Sequence, residues 1–198
     1  MKAFFFLLLI FFMLPASGAS VRAQDTTIKV GEAEISVSRA KWEKGVLNNL
    51  TPPDIFNSTS AESGSYGRST MNLSRPIHGY YYQASFTNGS SSKIKGIYWE
   101  FVFFDSATKQ EVGRHKFFSK TSIGKSKTKT VAAFNRKPPS GTISAEALGE
   151  KEKKDQYIER IEIKAVMLGD GNMWKAPSAS ERDLGRLRVV VKRGRIFR

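Results

Sequence analysis

The sequence predicts an all-β fold, an antiparallel sandwich of about seven strands in two sheets. Three observations carry that prediction. Apolar and polar residues alternate with period two in one segment after another. Turn-forming residues recur at short intervals between those segments. Helical periodicity is almost missing. The chain has no cysteine, so no disulfide staples the fold and the core must supply the stability. Aromatic residues make up 12% of the chain, which gives such a core large side chains to bury.

The elements follow in order. Within 28–42, Ile35 and Val37 alternate with Ser36 and Ser38 and read as a half-buried strand. Residues 48–76 are rich in Ser, Asn, Thr, Gly and Pro and read as a long exposed polar loop, with disorder the favoured reading. From Gly79, Tyr80, Tyr82, Ala84 and Phe86 share one face of a strand, and Asn88-Gly89 suits the positive backbone angles of a tight turn. Residues 93–105 form the strongest strand. Ile97, Trp99, Phe101 and Phe103 line one face, and Tyr98, Val102 and Phe104 make the other partly apolar, which predicts a central position.

Residues 111–119 and 125–134 are the next strands, with Phe117 an anchor in the first and Pro138-Pro139 closing the second. Residues 145–155 are charged, suited to a turn or two of helix. Residues 156–168 form a strand with Tyr157, Ile161, Ile163, Ala165 and Met167 inward and Arg160, Glu162 and Lys164 in water. A turn at 169–172 returns the chain through Met173-Trp174. The sandwich therefore spans 24–176. Residues 177–198 are a basic tail, either a disordered arm or an added strand with Leu187, Val189 and Val191 on one face. No internal repeat and no second domain is visible.

Residues 1–23 read as a signal peptide. Lys2 precedes an unbroken apolar run from Phe4 to Leu14, Pro15 breaks it, and small residues lead to Val21-Arg22-Ala23. The run is shorter than the roughly 20 apolar residues that a membrane-spanning helix needs. The expected location is periplasmic or extracellular, with no transmembrane helix left after cleavage. The whole chain has a formal charge of +14, and losing Lys2 and Arg22 with the leader leaves it strongly basic. Such charge attracts polyanions. Outside the cytoplasm these are lipid head groups, acidic polysaccharides and cell-wall polymers, and nucleic acid is a poorer partner.

Residues 80–174 have a family look. A Tyr-rich strand runs into Asn88, followed by Ile94-Lys95-Gly96-Ile97-Tyr98-Trp99-Glu100-Phe101-Val102-Phe103, then Asp105, Glu111-Val112-Gly113-Arg114 and Phe117, closing on Asp170-Gly171-Asn172-Met173-Trp174. The pattern resembles exported bacterial domains of the broad FxLYD-like kind. That resemblance implies an immunoglobulin-like β-sandwich and brings no activity with it. The long polar loop and the arginine-rich tail depart from the family pattern.

Candidate chemistry is sparse. His78 and His115 are the only histidines, and His115, between Arg114 and Lys116, reads as a packed or half-exposed strand residue. No nucleophile elbow and no zinc-binding helix motif is present. Asp170-Gly171-Asn172 has oxygen ligands, but a hairpin turn accounts for it. No catalytic residue, cofactor or metal is expected. Trp99 belongs to a core face, whereas Tyr81 and Tyr98, on the opposite faces of their strands, are the better exposed aromatics. Asn49, Asn57, Asn72 and Asn88 begin glycosylation sequons and also suit turns.

The basic surface is the one candidate site. Arg114 and Lys116 share a face of one strand, and Lys125, Lys127 and Lys129 share a face of the next. If the two strands pair, all five form one anion-binding face. Lysines on an edge strand also block edge-to-edge aggregation, and the sequence leaves both explanations open. The functional expectation is an exported, non-enzymatic interaction module of the cell envelope. Its partner is an envelope protein or an anionic polymer or lipid surface, and the alternative is a dedicated binder of such anions through the basic face. The leader generates the first prediction. Intact-mass analysis of the exported protein should find cleavage between Ala23 and Gln24, and a mature chain still starting at Met1 would refute it.

Overall fold

The computed structural model describes residues 26–30, 33–47, 58–60, 64–65, 76–139 and 157–193. In chain order the strands are β1 (Thr26–Val30), β2 (Ala33–Leu47), β3 (Ser58–Ser60), β4 (Gly64–Ser65), β5 (Ile77–Asn88), β6 (Ile94–Asp105), β7 (Glu111–Ile123), β8 (Thr128–Asn135), β9 (Tyr157–Leu168) and β10 (Met173–Lys175). One helix, α1 (Glu181–Arg193), follows. All ladders among these strands are antiparallel. They form a four-stranded sheet, β1-β2-β5-β8, and a six-stranded sheet, β10-β9-β6-β7-β3-β4. Seven of the strands run for five residues or more, so the expected sandwich is what the chain forms.

The main core lies between the sheets. Ile35, Tyr82 and Phe86 of the first sheet meet Trp99, Phe101 and Phe117 of the second, all six with no exposure beyond 0%. Phe86 meets Trp99 edge-on, and Tyr82 does the same with Phe101, the geometry that aromatic quadrupoles favour. Trp99 also has its one polar group satisfied. Its Nε1 donates to Ser119 Oγ at 2.9 Å, and Ser58 Oγ donates to the Ala132 carbonyl at 2.6 Å. Ser58 has a single hydroxyl proton, so the 2.7 Å contact between the two serines must have Ser119 as donor. The relay runs from the core tryptophan across to the other sheet.

That relay corrects one expectation. The polar stretch 48–76 is not simply an exposed loop. Ser58–Ser60 pairs with β7, and Ser58 and Ser60 are buried. The rest of the stretch, apart from Gly64–Ser65 and Pro76, lies outside the described residues. So do the leader and the charged segment 145–155. A second correction concerns Asn88-Gly89. It is not a tight hairpin turn, because β5 and β6 belong to different sheets and Gly89 has no positive φ. Gly89 is needed for close approach: its N–H donates to the Glu34 carbonyl at 2.8 Å, where a Cβ would collide.

A third correction comes from a bulge in β9. Tyr98 pairs with Ala165 and Trp99 with Ile163, which leaves Lys164 as an extra residue. Beyond it the strand changes sides. Val166 enters the main core, while Ala165 and Met167, expected inward, lie on the outer face of the six-stranded sheet. Side-chain alternation has period two, so one inserted residue is enough to invert it.

That outer face is covered by α1, and here the sequence reading fails. The tail segment 181–193 is a helix, not an added strand. Leu184, Leu187 and Val191 recur at helical spacing and pack on Tyr98, Phe118 and Ala165. Burying Leu184 and Leu187 contributes about 1.5–3 kcal/mol each. Ser180 caps the first turn, accepting from the Asp183 N–H at 3.2 Å and donating to Asp183 Oδ2 at 2.9 Å. Ser180-x-x-Asp183 is the start signal that was available in the sequence. The valine run 189–191 hid it, because β-branched residues favour strands. Helix and sheet approach closely at Gly96, where any Cβ would strike Val191.

The fold generates a stability prediction. Trp99→Ala should lose about 3–5 kcal/mol, since it opens a cavity in the core and orphans the Ser119 relay. Chemical denaturation against the parent measures it, and an unchanged midpoint would contradict the packing described here.

Candidate functional site

β7 and β8 do not pair. β8 joins β5, with Tyr80 opposite Asn135 and Thr87 opposite Thr128, whereas β7 lies between β6 and β3. The five expected cations are therefore split. Arg114 and Lys116 sit on the outer face of the six-stranded sheet, beside the N-terminal turn of α1. Lys125 and Lys127 lie in the β7–β8 connection, and Lys129 lies on β8 at the edge of the other sheet. No single face carries all five.

Arg114 and Lys116 belong to a closed cluster around Glu100, which is 3% exposed. Glu100 faces α1 because it shares the outer parity of Tyr98 on β6. The Tyr98 hydroxyl donates to it, with Asp183 Oδ2 a further 3.3 Å from that hydroxyl. Arg114 pairs with Glu100, with Glu162 at 2.9 Å and with Glu111 at 2.6 Å. Lys164, the bulge residue, reaches Glu162 at 2.8 Å and Glu100 at 3.7 Å. Lys116 reaches Asp183 at 3.2 Å, and Arg160 meets Glu162 at 2.7 Å. Arg186 also reaches Asp183 at 3.8 Å, so four carboxylates face five cations and these charges are largely paired among themselves.

The protonation behaviour follows from these contacts. Burial would raise the Glu162 carboxyl, but hydrogen bonds from Lys164 and Arg114 outweigh it and bring the pKa down to about 2. Asp183 is likewise lowered, with burial opposed by bonds from Ser180 and Lys116. The Tyr98 phenol is pushed far up, by burial first and then by its bond to Glu100. Arg114 is held charged chiefly by its bond to Glu111. Tyr98, expected to be exposed, is buried under the helix at 1% exposure. Asp183 ties α1 to the sheet through Lys116 and the Tyr98 hydroxyl, and the charged groups are paired largely with one another, although Arg160 Nε is buried without a partner among the described residues. Removing the partners of the buried Glu100 leaves an uncompensated charge, a loss that costs about 3–5 kcal/mol when the pair is buried.

His115 is buried and packed rather than half-exposed. The Lys137 N–H donates to Asn135 Oδ1 at 3.0 Å, so Asn135 Nδ2 is the side that meets His115 Nδ1, also at 3.0 Å. Nδ1 therefore accepts, and Nε2 donates to the Pro138 carbonyl at 2.9 Å. His78 is exposed. Tyr81 is half-buried and donates to the Val46 carbonyl at 2.5 Å. Asp170 accepts from the Asn172 N–H at 2.9 Å in the β9–β10 turn. Among the described residues no three His, Asp or Glu side chains converge as a metal site. No described helix is long and apolar enough to cross a membrane.

The residue that sequence reasoning undervalued is Asn88. It is fully buried, and its side chain ties two connections together. Nδ2 shares its two protons among the carbonyls of Ser92 at 2.9 Å, Ile123 at 3.0 Å and Gly124 at 3.2 Å. Oδ1 accepts from the Ser90 N–H at 2.9 Å and from its hydroxyl at 2.6 Å. The β5–β6 connection, ending in Lys93, is thereby fixed against the β7–β8 turn bearing Lys125 and Lys127. Of the other sequons, Asn49, Asn57 and Asn72 lie outside the described residues. Comparison with known protein families, curated proteins and solved structures finds no match to this chain.

The cluster generates a pH prediction. Glu162 has a folded pKa of about 2 against an ordinary 4.5, so its contribution is complete above 4.5 and is lost as pH falls toward 2. Arg114→Gln removes one of the bonds responsible. Parent and variant should differ most in thermal midpoint near neutrality and converge as pH falls through that window. A constant gap across it would show that Arg114 does not act through Glu162.

Proposed function

We propose that this chain is an exported, non-enzymatic, immunoglobulin-like interaction module of the cell envelope. One observation carries the reading. Among the described residues the densest group of titratable side chains is paired largely within itself around the buried Glu100, whereas Lys93, Lys125, Lys127 and Lys129 are exposed and unpaired on and beside connections at one end of the sandwich. A catalytic centre needs reactive groups open to substrate. The Glu100 cluster instead spends its charges on holding a helix. Loops at the end of a sandwich are where such folds place their binding residues. The signal-like leader puts the module outside the cytoplasm, and the FxLYD-like pattern of 80–174 agrees with a small exported domain.

Cell fractionation with a C-terminally tagged chain tests this. The processed protein should be found outside the cytoplasm, and the purified mature chain should be retained by isolated envelope and competed off by unlabelled protein. Retention of the full-length chain in the cytosol, or no retention by envelope, would refute the module reading.

A further inference from the structure

We propose that the end of the sandwich bearing Lys93, Lys125, Lys127 and Lys129 is a docking surface for an acidic polysaccharide. This rests on the interaction-module reading and names the partner of that module.

The four lysines come from two connections and one strand, and tertiary structure brings them together. Ile94 pairs with Ile123, which sets Lys93 next to the start of the β7–β8 turn. The Asn88 backbone N–H donates to the Lys127 carbonyl at 3.0 Å, and its carbonyl accepts from the Ser126 N–H at 2.7 Å. Together with the Asn88 side chain, these bonds hold both lysine-bearing segments in one geometry. Ser126 adopts a left-handed φ of 54°, a conformation that costs energy for a residue with a Cβ. All four lysines are exposed, and none makes an ion pair or side-chain hydrogen bond among the described residues.

Edge protection does not account for this arrangement. It covers Lys129, on the edge strand β8, but Lys125 and Lys127 precede that strand and Lys93 enters the central strand of the other sheet. Solubility would be served equally by lysines on loose loops. Here the side chain of a buried asparagine shares its two N–H protons among the Ser92, Ile123 and Gly124 carbonyls and accepts from the Ser90 N–H, which ties the two connections together.

The chemistry of the surface selects the partner. Residues 89–93 read Gly-Ser-Ser-Ser-Lys and 124–130 read Gly-Lys-Ser-Lys-Thr-Lys-Thr. Cations alternate with hydroxyls, and no apolar side chain lies among them. Amphipathic segments held at a lipid surface insert apolar groups beside their cations, and the described residues of 89–93 and 124–130 expose no apolar side chain. A hydrated chain carrying anionic groups at intervals needs only ammonium groups and hydroxyls. Of the described carboxylates near this end, Asp170 accepts from Asn172, and Glu34 is exposed with its backbone carbonyl bonded to Gly89.

The test uses the mature protein and immobilised polygalacturonate, with uncharged dextran and phosphatidylglycerol vesicles as further arms. The parent should bind polygalacturonate at low salt and not dextran. A variant with Lys93→Gln, Lys125→Gln, Lys127→Gln and Lys129→Gln should lose binding, with the slope of log affinity against log salt falling by roughly one per lysine removed. A charge-matched control carries Lys41→Gln, Lys44→Gln, Arg182→Gln and Arg188→Gln, at four exposed cations elsewhere. It should bind nearly as the parent does. Equal loss in both variants would mean that net charge alone is read, and would overturn the proposal. Binding to vesicles in preference to polysaccharide would overturn it too. Either result leaves envelope retention of the parent intact, whereas failure of export or retention sinks the module reading without touching polysaccharide binding in vitro.

Discussion

β6 is buried on both faces, and the architecture follows from how each face is covered. One face, with Ile97, Trp99, Phe101 and Phe103, closes against β2, β5 and β8. The other, with Tyr98 and Val102, would leave an aromatic strip in water if the chain stopped at β10. α1 covers the Tyr98 end of that strip. Gly96 lets the helix approach, Phe118 stacks on Tyr98 with ring centroids 4.6 Å apart, and Ala165 arrives through the β9 bulge. The bulge thus converts a strand that would feed one core into one that feeds two.

Covering Tyr98 has an electrostatic consequence. Glu100 follows two residues later on the same face and is carried under the helix margin. A lone buried carboxylate would be prohibitively costly. Arg114, Lys116 and Lys164 converge on it from both neighbouring strands, and Asp183 arrives with the helix. The charges that looked like half of a binding face are needed to neutralise this site. Lys93, Lys125, Lys127 and Lys129 have no such task, and they lie on the connections fastened by Asn88 and at the start of β8.

Much of the fold was legible in the sequence. Strands β5, β6 and β9 announced themselves because one or both faces are apolar with period two, a signal that needs no knowledge of the partner. Pro138-Pro139 marked a strand end for an equally local reason. The misreadings have local causes as well. Ser58–Ser60 has no apolar residue to betray a strand, and its burial is justified by hydrogen bonds to Ser119 and Ala132, far away in sequence. α1 carries three consecutive valines, and its helical stripe became decisive only with Tyr98 and Phe118 beneath it.

The candidate site divides along the same line. The sequence by itself determined that the chain is basic, that β6 is central and that cations alternate with hydroxyls from Lys125 to Thr130, because charge, hydrophobicity and alternation are properties of neighbours along the chain. Only the tertiary structure decided which cations are free. β7 and β8 are consecutive and look like a hairpin, yet they enter different sheets, so Arg114 and Lys116 part from Lys125, Lys127 and Lys129 and Lys93 joins the latter. Pairing partners are chosen by how apolar faces close over one another in space, and that choice leaves no mark in the local order of residues.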